Sequence, residues 1–285
     1  MTQQTGATPL RSLQCMEIWG GNRAVERAVA TPGLEIWVFS RPHERAEAGG
    51  DVYYASLCGG GRITRFILAD VAGHGATVAE VANSLRDLMR KNINRKDQVR
   101  LVQALNRQFA ALADANRFAT AVVATYLTRG DTLTVCNAGH PRPFWRRADA
   151  GEWSVLDGEP QPAGGGVADL PLGVVDDTAY TRRQITLGRG DLLLFYTDAW
   201  TEAANPAGEL LGESGLLELV GRLDASDPAS LPAALSAGVD AFRGGRPADD
   251  DATLILLRHT AGASRRPGLV ETLAVYAKLL GLKRV

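Results

Sequence analysis

The chain has 285 residues, 45% hydrophobic and 22% charged, with 31 Lys and Arg against 32 Asp and Glu. That length suits one large domain or two small ones with a full core, and a net charge of −1 excludes the broad positive field that recruits nucleic acid or anionic lipid. Three separated cysteines, Cys15, Cys58 and Cys136, exclude a disulfide scaffold or thiolate zinc site, and no run reaches the roughly 18 apolar residues of a membrane span.

The compartment expected from this composition is the cytoplasm: cysteine usage fits a reducing environment, and Met1-Thr2-Gln3-Gln4-Thr5 lacks a charged-then-apolar signal. Residues 1–14 are small and polar and read as a loose leader. Leu34–Phe39, Val52–Leu57 and Arg62–Leu68 are β-rich runs, the last two joined through Gly59-Gly60-Gly61 as a hairpin. Between the first two lies a polar loop, Arg41 to Asp51, ending in Gly49-Gly50-Asp51. In isolation, Asp51 reads as a turn residue at a strand start.

The third run closes on Leu68-Ala69-Asp70-Val71-Ala72-Gly73-His74-Gly75. Two close-set glycines give up chain entropy and side-chain contacts, which suits tight backbone geometry beside a ligand. Asp70 alone fits a turn, a helix cap or a ligand. From Ala76 the spacing becomes helical, with Val78, Val81, Leu85, Leu88 and Met89 on one face. A second helix carries Val102, Leu105, Phe109 and Leu112, with Asp97 as its cap. Both stripes read as core packing.

Thr120–Leu127, the turn Arg129-Gly130-Asp131 and Thr132–Cys136 make an antiparallel hairpin running into Asn137-Ala138-Gly139-His140-Pro141. His140, in a turn rich in Gly and Pro, reads as a residue that fixes loop hydrogen bonds. Residues 157–168 are a Gly/Pro-rich surface crossing, after which Leu170-Pro171-Leu172-Gly173-Val174 re-enters the body. Leu192–Tyr196 is a buried-type strand ending at Thr197-Asp198-Ala199-Trp200. Helical patterns follow near 213–221 and 229–243. Then comes Asp249-Asp250-Asp251 before a last buried-type strand, Ala252–Leu257. The tail from 261 is basic and carries an amphipathic stripe, Leu269, Leu273, Tyr276, Leu279 and Leu280, suited to docking on the body or on a partner.

Aspartate therefore stands at the edge of an apolar strand in four places: Asp51, Asp70, Asp198 and the 249–251 cluster. Hard oxygen ligands without a Cys or His cluster suit Mg²⁺ or Mn²⁺ rather than zinc. Two such ions sharing a water suit hydrolysis of a phosphate ester.

The ordered set Gly49-Gly50-Asp51, Asp70-Val71-Ala72-Gly73-His74-Gly75, Asn137-Ala138-Gly139-His140-Pro141, Pro171-Leu172-Gly173, Tyr196-Thr197-Asp198 with Thr201-Glu202-Ala203, and Asp250-Asp251-Ala252-Thr253 resembles the bacterial SpoIIE-like branch of the PPM-type metal-dependent serine/threonine protein phosphatases. The resemblance spans about 35–258, within a phosphatase domain placed at 15–260. It implies an α+β fold, an α-β-β-α sandwich of two antiparallel sheets flanked by helices. It implies two Mn²⁺ or Mg²⁺ ions in a cleft at one sheet edge. Carried over by motif, Asp51, Asp70 and the Val71 carbonyl would hold or bridge one ion, with Asp198 and Asp250 completing the other.

Asp249 and Asp251 would lie outside the ligand shell or in solvent. A metal-bridging hydroxide would attack phosphoserine or phosphothreonine on a protein, by resemblance an anti-sigma-factor antagonist or similar signalling partner. With no fused sensor in the sequence, a regulatory partner or the C-terminal helix would supply control.

The sequence departs from the family pattern at Ala199, where glycine normally follows the aspartate. It departs also at Tyr54, where many relatives carry an acid, and at Ala72, where the general-acid His of the eukaryotic relatives stands. Arg41 and Arg45 lie in the loop where a phosphate-binding Arg would be sought. The competing readings are a non-catalytic or weakly active interaction module of the same fold, and a small-molecule phosphohydrolase.

Overall fold

The computed structural model describes residues 10–15, 17–73, 76–93, 95, 97–112, 117–156 and 168–261. His74, Gly75, the crossing at 157–167 and the basic tail beyond Ala261 lie outside the described residues, as do residues 1–9 of the leader. The described strands are β1 (Arg11–Ser12), β2 (Ile18–Gly21), β3 (Val25–Thr31), β4 (Leu34–Arg41), β5 (Asp51–Cys58), β6 (Ile63–Val71), β7 (Ala119–Leu127), β8 (Thr132–Ala138), β9 (Phe144–Arg146), β10 (Trp153–Val155), β11 (Arg183–Thr186), β12 (Leu192–Tyr196) and β13 (Ala252–His259). The helices are α1 (Ala76–Asn92), α2 (Gln98–Ala110), α3 (Gly212–Gly221) and α4 (Leu231–Arg243).

Two sheets stack face to face. One runs β1-β3-β4-β13-β12-β9-β10 and the other β11-β8-β7-β6-β5-β2. α1 and α2 cover the second sheet, and α3 and α4 cover the first, giving the expected α-β-β-α layering. One detail differs from the expectation of two antiparallel sheets: β1 pairs in parallel with β3, so the seven-stranded sheet is mixed at that edge.

Strands buried on both faces distribute their side chains by parity, because successive residues point to opposite faces. In β5, Tyr53, Ala55 and Leu57 enter the layer between the sheets, while Val52 and Tyr54 face the helices. In β6 the same split sends Phe66 and Leu68 inward and Ile67, Ala69 and Val71 toward α1 and α2. β12 and β13 follow suit, with Leu193, Phe195, Ile255 and Leu257 between the sheets. Tyr54, in the place of an acid, is fully buried under α1 and α2 as a core aromatic.

Local signals account for several element boundaries. Asp97 caps α2, its Oδ1 accepting the Arg100 amide at 2.9 Å. α4 carries Pro232 in its first turn and ends on Gly244 at φ 59°, a left-handed C-cap. Thr120–Leu127 and Thr132–Cys136 pair as a hairpin in register, and Val52–Leu57 pairs with Thr64–Ala69.

Candidate metal centre

At one end of the sandwich the inward-facing layer changes from apolar to polar. Parity continues through β5, β6, β7, β4 and β13 and on past β12, and it places Asp51, Asp70, Thr120, Ser40, Thr253 and Thr197 one step beyond Tyr53, Leu68, Val122, Val38, Ile255 and Phe195. Asp51 and Asp70 are direct cross-strand partners, and Thr120 stands opposite Asp70 on the next strand. Ser40 and Thr253 are partners in the other sheet. Two aspartates facing each other across a ladder repel, so the layer answers a requirement other than sheet stability.

The two sheets are tied together through this layer. Thr197 Oγ1 donates to Asp51 Oδ2 at 2.9 Å and accepts the Thr253 amide at 3.0 Å. The Ser40 and Thr253 hydroxyls share a 2.8 Å bond, and Trp200 Nε1 donates to the Thr253 carbonyl at 3.0 Å. Asp51 Oδ1, in contrast, is buried and has no hydrogen-bond partner among the described residues. A buried carboxylate oxygen left unsatisfied is costly enough to need a reason.

Asp198 opens a short 3₁₀ turn, Asp198–Trp200, just past β12, and Asp250 immediately precedes the Asp251-Ala252 entry to β13. The charges of these side chains act on the β5–β6 pair. Burial raises the Asp70 carboxyl most, and the charges of Asp198, Asp250, Asp251 and Glu202 add to it, carrying it to about 8. Burial also pushes Asp51 well above the usual carboxylate range, with Asp70 and Asp251 adding repulsion and the Thr253 and Thr197 hydroxyls opposing it. Asp198 is raised by burial and then by Glu202, and Asp250 by burial and the charges of Asp251 and Asp198.

Among the described residues, no three His, Cys, Asp or Glu side chains stand in a ready ligand arrangement. The carboxylates meet as charges without closing on a common centre. An all-oxygen donor set carrying an unpartnered buried oxygen fits a hard divalent cation, whose charge would offset the burial and mutual repulsion that raise these carboxyls.

Asp251 has a different position. Far from being solvated, it is 5% exposed and accepts the His43 and Gly50 amides on its two oxygens, each at 2.5 Å. It anchors the loop that delivers Asp51. This explains Gly49-Gly50: a Cβ on Gly49 would stand 2.4 Å from the Asp251 carboxylate, and one on Gly50 would stand 2.9 Å from the Val71 carbonyl. The loop is clamped from the far side by Asn22, whose Nδ2 donates to the Gly49 carbonyl at 3.0 Å and the Ala79 carbonyl at 3.2 Å.

The Asn137–Pro141 turn serves the same edge. Asn137 grips the His140 peptide from both sides, accepting its N–H at 2.7 Å and donating to its carbonyl at 2.8 Å. His140 Nδ1 shares a 2.8 Å bond with the Thr120 hydroxyl, so the ring braces the strand beside Asp70. Burial drives its pKa down to about 3, which keeps it neutral. Gly139 is left-handed at φ 67°, and a Cβ there would meet Pro171 Cγ at 2.5 Å, so the Pro171-Leu172-Gly173 motif packs against this turn.

Ala199 is buried and absent from the positive-φ residues, so the missing glycine leaves an ordinary backbone angle. Its carbonyl accepts from Arg243 Nη2 at 3.2 Å. Arg41 lies over the Phe39 ring and 3.4 Å from Asp240, lining a cavity of about 440 Å³ beside Asp250. Arg45 belongs to the 3₁₀ turn His43–Arg45. Sequence reasoning assigned no role to Thr197, Thr253, Ser40, Asn22 or Glu202. The strand parity carried past Phe195 and Ile255 would have exposed the two threonines; for Asn22 no sequence signal stands out.

The family model of Stage II sporulation protein E (SpoIIE) matches residues 60–260. Phosphoserine phosphatase RsbP of Bacillus subtilis (strain 168) is 25% identical over 169 residues, a match covering 58% of this chain and 39% of that protein. The chain thus spans less than half the length of that relative. Among solved structures, the RsbU and RsbW domains of Rv1364c from Mycobacterium tuberculosis superpose with a TM-score of 0.65 at 26% identity, covering 92% of this chain and 70% of that one. RsbX in complex with magnesium gives 0.59 at 16% identity, covering 83% of this chain and 100% of that one.

Proposed function

The chain belongs to the SpoIIE family, within the PPM (PP2C) phosphatases, and we propose that it hydrolyses phosphoserine or phosphothreonine on a bacterial signalling protein, using two Mn²⁺ or Mg²⁺ ions. The observation that carries this reading is the cross-strand pair Asp51 and Asp70, both raised by burial, with the charges of Asp198 and Asp250 acting on Asp70. When bound, divalent ions lower the pKa of water and neutralise charge developing on a phosphoryl group.

The protein's part is to hold and orient. Asp51, Asp70, Asp198 and Asp250 are the ligand side chains, joined by the Val71 carbonyl. Thr197 fixes the rotation of the Asp51 carboxylate by bonding one oxygen and leaving the other open. Asp251, through the His43 and Gly50 amides, sets where the Asp51 loop stands. His140 is neutral and shares a bond with the Thr120 hydroxyl, so its part is to brace the strand beside Asp70. The name of RsbP, a phosphoserine phosphatase, supports phosphoserine as the group cleaved, and the proposed substrate of the anti-sigma-factor-antagonist kind rests on the motif resemblance.

Ala199 was one ground for the alternative of a non-catalytic module, and its unstrained backbone gives that ground no support. The deciding experiment is hydrolysis of p-nitrophenyl phosphate and of a phosphoserine peptide with Mn²⁺ or Mg²⁺. Turnover lost on chelation and restored by either metal supports the proposal. A folded protein inert toward both substrates at saturating metal refutes it.

A further inference from the structure

On the flank of the molecule, where the chain crosses from β2 of one sheet to β3 of the other, a groove of about 780 Å³ opens between that crossing and α1. Its walls carry three guanidinium groups, Arg23, Arg27 and Arg86, against one carboxylate, Glu26. The chain as a whole is at −1, so this is a local concentration of positive charge rather than part of a general field.

Little inside the protein answers it. Arg23 reaches Glu47 at 3.6 Å with both side chains largely exposed, and Arg86 reaches its chain neighbour Asp87 at 3.8 Å. Exposed pairs of this kind contribute little and are screened by salt. Arg27 makes no ion pair among the described residues; its charge acts on the buried Tyr53 phenol, opposing the rise that burial causes.

The apolar part of the wall is aromatic. Trp19 and Tyr53 meet edge to face at 5.5 Å, and Trp19 is partly exposed. Guanidinium groups beside a rigid aromatic pair are the surface chemistry that receives carboxylates carried on a chain with apolar neighbours. The volume falls in the range, about 300–1,000 Å³, of sites that enclose whole organic ligands, well beyond one inorganic anion.

The groove also adjoins the proposed metal loop. Asn22 lies in its wall and is the residue that clamps Gly49 to Ala79. We infer that this groove is a docking site for an acidic peptide segment of a partner protein, held by Arg23, Arg27 and Arg86 with an apolar residue against Trp19. The docking needs no turnover, so its test stands apart from the phosphatase reading.

The probe is a fluorescein-labelled Glu-rich peptide carrying one Leu, followed by anisotropy against the full chain at low salt. The wild-type protein should bind it, with weakening as salt rises. Arg27→Glu with Arg86→Glu should weaken binding by at least about tenfold, while Arg222→Glu, a reversal at the C-cap of the remote α3, should leave it within about twofold. Circular dichroism reports folding, and the milder Arg27→Gln with Arg86→Gln pair gives the same reading if the reversal fails to fold. Unchanged affinity in a folded double variant overturns the inference. Equal displacement of the peptide by inorganic phosphate or ATP also overturns it, by making the groove a small-anion site.

Discussion

Gly49→Ala adds one methyl group, and the structure says where it goes. Gly49 does not occupy the left-handed region, so alanine fits the backbone, yet its Cβ would sit 2.4 Å from Cγ and both oxygens of Asp251. That carboxylate cannot swing away freely, because its oxygens hold the His43 and Gly50 amides at 2.5 Å each. A hydrogen bond to a charged group contributes about 1.5–3 kcal/mol, so breaking both removes about 3–6 kcal/mol.

Moving Asp251 also relieves its repulsion of Asp51 and Asp70, which offsets part of this loss. A net loss of about 3 kcal/mol is expected, a fall in Tm on the order of 6–12 °C for a chain of this size. The assay is a double-mutant cycle by urea denaturation without metal. Asp251→Ala alone should lose a comparable amount, and adding Gly49→Ala to it should cost under about 1 kcal/mol, because the atoms in the way are gone. Losses that simply add would refute the contact as the reason for glycine.

Asp70→Asn should leave the metal-free protein as stable as the wild type or more so, since it removes one of several repelling acids, while abolishing Mn²⁺ binding by calorimetry and turnover with it. Because the folded Asp70 carboxyl is raised to about 8 against about 3.9 unfolded, the folded state holds the extra proton between those values. Stability in EDTA should therefore fall as pH rises from about 4 to 8, and saturating Mn²⁺ should flatten that slope; thermal melts at several pH values would show a rise instead if the cluster were wrongly placed. Thr197→Val should cost about 1–2 kcal/mol and weaken Mn²⁺ binding, with Thr197→Ser restoring most of both; equal defects in Val and Ser would point to packing rather than the bond to Asp51. Ala199→Gly should change turnover by less than about threefold and stability by under about 1 kcal/mol, because nothing at that backbone angle calls for glycine.

Much of the fold was legible because hydrophobic period and turn chemistry agreed. The hairpins at 59–61 and 129–131 and the Asp97 cap stand where the residues placed them. The strands that escaped notice are short or diluted: β2 ends in Gly20-Gly21, and β3 begins Val25-Glu26-Arg27, with two exposed charges in its first half. Within the site, aspartates beside glycines announce themselves, whereas Thr197 and Thr253 look like ordinary β-branched strand residues until their place in the inward layer is counted. Three adjacent carboxylates at 249–251 gave no means of knowing that Asp251 alone turns back to hold an upstream loop, since its partners lie 208 and 201 residues earlier in the chain.

The tie from Ser40 through Thr253 and Thr197 to Asp51 spans the gap between the two sheets at the layer where the acids gather. In the proposed ligand set two acids, Asp51 and Asp70, belong to one sheet and two, Asp198 and Asp250, flank strands of the other, so the distance across that gap would set the bite of the chelate. Neither sheet excised with its own helices would carry more than two of the four, and any sliding of one sheet on the other would open the jaw. Under the proposed function, cation affinity would gauge how the halves are seated, readable from outside without a substrate.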